Sequence, residues 1–243
     1  MTYCLGLLMR EGLVFVSDSR SNAGVDNITL VRKIRTFVVP GERVIVMLSA
    51  GNLATTQAIT GLLTAAAGNG FVGQDIHLCL NMFDAAQLVG DKLRAQIARD
   101  APHVQPYGDP NATFIVGGQI RGEGPRMFEI YSAGNFVEVT QRRPFAQVGE
   151  TKYGKPILDR AFRYDTSLGE ASKLALLSMD ATVRSNLSVA APVDLLPYPI
   201  DTFSAAGLRT FETSDPYWHA LCDGYDAGLR ELVHRLPGPT EAS

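Results

Sequence analysis

The run YCLGLLM, residues 3–9, restricts the fold more than any other feature of the chain. Its two alternating sets are Thr2, Cys4, Gly6, Leu8 and Tyr3, Leu5, Leu7, Met9. Apolar residues therefore occupy both faces, and a strand of that kind has to be covered on both sides. A second apolar run, residues 13–17, follows after REG, a polar turn with glycine, which predicts a short hairpin.

The same reading extends along the chain. Residues 34–39 and 44–49 flank PGE and predict a second hairpin. After SAGN the apolar period lengthens, with Asn52 as N-cap and Ala54, Ala58, Gly61, Leu62 and Ala65 on one helical face. A longer helix is predicted from Ile76, Leu80, Phe83, Ala86, Gly90, Leu93 and Ile97, stopping before Pro102. Strands are expected at 113–116, 127–132, 136–139 and 146–148. Further helices are expected at 155–162, at 169–184 with Ala171, Leu174, Ala175 and Ser178 on one face, and at 216–235 with Pro216 in the first turn. The run PVDLLPYPID carries three prolines, so it reads as an edge strand or extended loop and not as a central strand. Strands and helix pairs are segregated, not alternating, which two stacked sheets with a helical layer outside each would satisfy. The expectation is an α+β, four-layer αββα sandwich in one domain over residues 1–236, followed by a flexible tail at 237–243.

Composition excludes several functions. With 22 basic and 25 acidic residues the formal charge is -3, which gives no electrostatic footprint for nucleic acid or an anionic membrane. No apolar run approaches the roughly 18 residues of a membrane span, and the start lacks a basic region and a small-residue cleavage site. A cytoplasmic protein is expected. Cys4, Cys79 and Cys222 are widely spaced and form no CxxC, and His77, His103, His219 and His234 lie at no ligand spacing, so no metal and no cofactor are expected. In a cytoplasmic chain the N-x-[ST] matches at Asn27, Asn111 and Asn186 are accidents of composition. Gly68, Gly70 and Gly73 spell GxGxxG, but they follow a helix and not a strand, so a helix end plus loop explains them.

Thr2 carries the one distinctive chemistry. Removal of Met1 past a small second residue leaves a free α-amine on the residue that bears the hydroxyl. An α-amine has a pKa near 8, so a useful fraction is neutral at pH 7 and can take the hydroxyl proton, directly or through water. Threonine also simply favours strands. VFVSDSR, however, places Asp18 at the end of the strand that hairpins back beside the first, and LVRKIRTF places Lys33 at the entry to the next. An acid and a base converge on Thr2.

With MTYCLGLL, GLVFVSDSRSNAGVDNI, VRKI and RVIVMLSAGNLATTQA, the chain resembles the proteasome β-subunit branch of the N-terminal nucleophile hydrolases, most closely the bacterial family called Anbu. Looser likeness continues through VGETKYGKPILDRA and DATVRSNLSVAAPVDLLPY. The resemblance implies that fold, and a threonine peptidase or amidase with Thr2 as nucleophile. It implies Lys33 beside the hydroxyl, Asp18 as the partner carboxylate, Gly51 as the backbone N–H facing the oxyanion, and Leu53 shaping an apolar specificity recess. The family pattern also carries a serine and an aspartate in two later loops. This chain offers Glu150 after VG and Ser185 in VRSNLS, and only Ser188 fits the serine. Those departures motivate an alternative, a catalytically silent proteasome-like assembly or scaffold subunit. The resemblance further implies a homo-oligomer, ring-like or open and helical, acting on a peptide or protein substrate, and it allows an unfoldase partner.

Overall fold

The computed structural model describes residues 2–22, 28–69 and 71–239. Met1, Asn27, Gly70 and residues 240–243 of the expected tail lie outside the described residues.

The first hairpin forms as its alternation predicts, β1 (Tyr3–Met9) and β2 (Gly12–Asp18) joined through Arg10 and Glu11 with Met9 opposite Gly12. A small ladder of β3 (Arg20–Asn22) and β4 (Ile28–Leu30) follows, too short for its pattern to reveal. The second hairpin is β5 (Ile34–Val39) and β6 (Arg43–Gly51). Helices α1 (Leu53–Ala66) and α2 (Met82–Val104) lead into β7 (Ala112–Ile120), β8 (Arg126–Ile130), β9 (Phe136–Glu138) and β10 (Phe145–Gly149). The chain ends with α3 (Lys155–Ala161), α4 (Leu168–Ser185), β11 (Val193–Pro199), β12 (Arg209–Phe211) and α5 (Pro216–Arg235).

Two antiparallel five-stranded sheets result, ordered β10-β1-β2-β11-β12 and β5-β6-β7-β8-β9. The two faces of β1 enter different cores. Cys4 and Leu8 pack between the sheets with Phe15, Val46, Leu48 and Ile115. Tyr3, Leu5, Leu7 and Met9 pack outward against Leu158, Ala171, Ala175 and Met179 of α3 and α4. On the other side, Ile45, Met47, Phe114 and Val116 meet Ile59 and Leu63 of α1 and Val89 and Leu93 of α2. The four expected layers are therefore present. Burial of each large aliphatic or aromatic side chain in them contributes about 1.5–3 kcal/mol.

Three expectations are corrected. The face of α1 turned to the core is Thr55, Thr56, Ile59 and Leu63, and Ala54, Gly61, Leu62 and Ala65 point outward. The threonines can go inside because their hydroxyls are satisfied, Thr55 Oγ1 donating to the Pro110 carbonyl at 2.8 Å and Thr56 Oγ1 to the Leu53 carbonyl at 3.0 Å. Helix α2 starts later and ends later than its periodicity suggested. Asn81 caps it by accepting from the Asp84 N–H at 2.9 Å, Leu80 is left exposed, and the helix continues past Pro102 to Val104. Strand β11 is interior and not an edge, since β2 pairs along its length and β12 pairs with residues 193–195. Pro197 and Pro199 lie beyond the last β12 pair, where no ladder donor is missed on that side.

The edge β1–β10 controls where the chain start lies. Gly149 has φ +85°, and a Cβ there would sit 2.0 Å from the Thr2 carbonyl oxygen. That clash is with backbone and cannot be relieved by a rotamer change. Gly149→Ala is expected to cost about 2 kcal/mol, seen in thermal unfolding as a fall in melting temperature of about 4–8 °C.

Candidate active site

Thr2 leads into β1 and is buried, with its carbonyl accepting from the Glu150 N–H at 2.7 Å. The next amide, Tyr3 N–H, points to the opposite edge and donates to Asp18 Oδ1 at 2.9 Å. Asp18 closes the open end of the first hairpin and is wholly buried. Its Oδ1 also accepts from Lys33 Nζ at 2.8 Å, and its Oδ2 from the Arg20 N–H at 3.2 Å. Lys33, in the extended link between β4 and β5, donates in addition to the Arg20 carbonyl at 2.5 Å. Two of the three ammonium N–H bonds are thereby used, and the third meets no acceptor among the described residues.

Charge is balanced locally. Burial pushes the Asp18 carboxyl above the ordinary carboxylate range, and the Lys33 ammonium with the Tyr3 and Arg20 amides pulls it back. Cys4, whose thiol donates to the Ser49 carbonyl at 3.5 Å, is driven well above the usual thiol range by burial, so it stays protonated and is no nucleophile. All three cysteines are buried free thiols.

Thr2, Lys33, Gly51 and Leu53 line one recess of about 20 Å³, with Ser21, Val31, Ser49, Ala50 and Thr56. Gly51 holds φ +110°, and a Cβ there would lie 2.5 Å from the Asn111 carbonyl oxygen, so only glycine lets β6 bend into α1 at this point. Asn52 then caps α1 through the Thr55 N–H at 3.1 Å, and the positive end of the helix opens beside the recess. A groove of about 570 Å³ adjoins it, sharing Val31, Ser49 and Thr56 and adding Arg32, Arg35, Gln57 and Thr60. Arg32 is tied bidentately to the buried Asp194, at 3.0 Å to each oxygen.

The structure thus brings together Thr2, Asp18, Lys33, Gly51 and Leu53. Ser188 is not among the residues that line this recess; it lies between α4 and β11, its N–H donating to Asn186 Oδ1 at 2.9 Å, and Ser185 is exposed at the end of α4. Glu150 stands instead beside Thr2, buried, with Oε2 accepting from Asn186 Nδ2 at 3.1 Å. Sequence reasoning missed Ser21, Ser49 and Thr56. No motif marks such residues, and only the approach of two sheets and a helix end assembles them. Gly68 and Gly73 of the GxGxxG pattern belong to the loop after α1, where the Gly68 N–H donates to Asp75 at 2.8 Å. Among the described residues no helix is long and apolar enough to cross a membrane.

Comparison with known proteins fits this geometry. The family described as "Proteasome subunit" matches residues 2–192. Anbu (ancestral beta-subunit) from Yersinia bercovieri is 45% identical, with a TM-score of 0.92 over 97% of this chain and 98% of that one. An Anbu (Gly-1) mutant from Hyphomicrobium sp. strain MC1 is 44% identical, with a TM-score of 0.90 over 98% of this chain and 99% of that one. The chain of a helical assembly of the Anbu complex from Pseudomonas aeruginosa is 43% identical, with a TM-score of 0.92 over 98% of each chain. No functionally curated protein matches the chain. The matched family and these likenesses over nearly the whole length agree with the layers, and the chain belongs to the proteasome subunit family, in the company of its Anbu members.

Proposed function

We propose that the protein is an N-terminal threonine peptidase or amidase in which Thr2, freed of Met1, is the nucleophile. The observation that carries the reading is the buried Lys33–Asp18 pair, 2.8 Å apart, with Lys33 lining the recess of Thr2 and Asp18 bonded to the amide that follows it.

In this reading the Thr2 hydroxyl attacks a peptide carbonyl while its proton passes to the α-amine, directly or through water. The Lys33 ammonium stabilises the developing alkoxide, and Asp18 holds Lys33 in place and offsets its charge. The oxyanion faces the Gly51 N–H and the positive end of α1, worth a few kcal/mol of transition-state stabilisation. Collapse expels the leaving amine, which takes the proton from the α-ammonium, and leaves an ester on Thr2. Water, deprotonated by the same amine, releases the acid and restores the enzyme. Leu53 and the polar groove lined by Arg35, Gln57 and Thr60 take the side chains next to the scissile bond.

A silent scaffold subunit is less well supported. Burying an ion pair adds little to stability, so a subunit that only assembles gains nothing from Asp18 and Lys33 at the head of β1. Assembly itself is part of the proposal. Leu62, Phe71 and Val72 at and beyond α1, and Leu229, Leu232 and Val233 on α5, are large apolar side chains exposed on opposite helical layers. Two different apolar faces suit a heterologous contact between copies, which gives a ring if it closes and a helix if it does not. Enclosure of that kind restricts access to extended chains in a cytoplasmic particle, whether or not an unfoldase feeds it.

Three outcomes follow. Thr2→Ala is expected to lower kcat/KM on fluorogenic peptides by about 10³-fold or more and to abolish labelling by a threonine-directed electrophile. Undiminished hydrolysis, or an intact mass that retains Met1 in active protein, sinks the reading. Lys33→Ala is expected to combine a comparable loss of activity with about 3–5 kcal/mol of destabilisation, because Asp18 is left buried without its cation, and urea unfolding measures it. Leu232→Glu with Val233→Glu is expected to shift the protein to smaller species in sedimentation velocity, with the melting temperature of the fold little changed.

A further inference from the structure

The groove of about 570 Å³ beside the Thr2 recess has a polar lining whose chemistry selects among side chains. It shares Val31, Ser49 and Thr56 with the recess. One side of it is the link into β5 and the edge strand β5 itself. Arg35 stands opposite Met47 on β6, and the Ser49 N–H donates to the Lys33 carbonyl at 3.2 Å, which extends the ladder back to Lys33. Arg35 is therefore one pleat repeat beyond Lys33 on the same side of the strand, about 7 Å along it. The facing wall is α1.

That wall offers few donors. Thr56 Oγ1 donates to the Leu53 carbonyl at 3.0 Å, and Thr60 and Thr64 donate to the Thr56 and Thr60 carbonyls at 2.8 Å each, so three hydroxyl protons turn back into the helix. Arg32 is committed to Asp194 and Thr210. The exposed Arg35 guanidinium, the Gln57 amide and the Ser49 hydroxyl remain, and none of them donates to an acceptor among the described residues. No carboxylate is among the described residues that line the groove. A cationic fork flanked by neutral donors suits a group that only accepts and carries negative charge.

We infer that Arg35 is a specificity residue that pairs with a glutamate side chain on the residue supplying the attacked carbonyl. This deepens the proposed function and rests on it. A carbonyl oxygen facing the Gly51 amide lies two residues along β6 from Ser49, which both cavities share, so the side chain on the adjoining α-carbon is the one placed to enter the groove. Its methylene stem passes Val31 and Leu53, and its carboxylate meets Arg35, with Gln57 and Ser49 donating to the same oxygens. Glutamine keeps the shape and loses the charge. Leucine leaves the guanidinium without an acceptor, and lysine meets a like charge.

Fluorogenic peptides that differ only in glutamate, glutamine, leucine or lysine before the leaving group test this through kcat/KM in the wild type, Arg35→Met and Arg35→Glu. Binding without turnover is read by calorimetric titration of acetylated tripeptide amides ending in glutamate or glutamine into full-length Thr2→Ala protein, with and without Arg35→Met. Glutamate is expected to exceed glutamine about tenfold in both readouts. The ratio is expected to fall towards one in Arg35→Met and to shrink as salt is raised. Arg35→Glu is expected to put lysine ahead of glutamate. A wild-type ratio near one, a ratio unchanged in Arg35→Met, or leucine ahead of glutamate overturns the inference, while hydrolysis that Thr2→Ala abolishes leaves the threonine-peptidase reading standing. A binding preference that disappears with Arg35, in protein that hydrolyses none of the peptides, supports the carboxylate site and sinks that reading. Should Arg35→Met fail to fold, a wild-type ratio that falls with salt supports the inference, and one indifferent to salt overturns it.

Discussion

The Asp18–Lys33 pair is the contact on which the working end of the sandwich depends. Asp18 sits where β2 leaves the first sheet, and Lys33 sits where the chain enters the second, so their 2.8 Å contact fastens one sheet to the other. The amides of Tyr3 and Arg20 and the carbonyl of Arg20 complete the coordination of the two charges. Such a pair contributes little net stability, because desolvating both ions offsets most of their attraction. Its value is positional: neither side chain can move without leaving the other buried and unmatched.

Everything around the pair limits motion of the first residues. Strand β1 has neighbours on both edges and packed cores on both faces, so Thr2 emerges from a strand held on every side. Gly149 lets β10 pass against the Thr2 carbonyl, and Glu150 then bonds it. From the second sheet, Gly51 turns β6 into α1 and brings a helix end to the recess. The proposed nucleophile, its lysine and the proposed amide donor thus come from three separated segments but from stiff elements, which is what preorganised charge stabilisation requires.

Much of the architecture was legible in local pattern. Alternation with apolar residues on both faces announced β1 as doubly covered, and PGE and REG marked the two hairpins. Where the reading slipped, a tertiary contact had overruled a local preference. Thr55 and Thr56 displaced the alanines of α1 from the core because nearby carbonyls satisfied their hydroxyls. Helix α2 ran on past Pro102 to Val104, and β11 became interior because β12 pairs with it up to residue 195. Composition does not record any of these partners.

The sequence by itself determined the two-faced strand at the start, the order of hairpins and helices, and the residue types able to do the chemistry at Thr2, Asp18, Lys33 and Gly51. These are local facts, set by side-chain alternation, turn residues and the reactivity of a hydroxyl next to an α-amine. Only the tertiary structure decided that Ser21, Ser49 and Thr56 line the recess and that Glu150 lies across the ladder from Thr2. Those outcomes depend on which strand edges meet and in what register, and register is a property of two segments far apart in the chain.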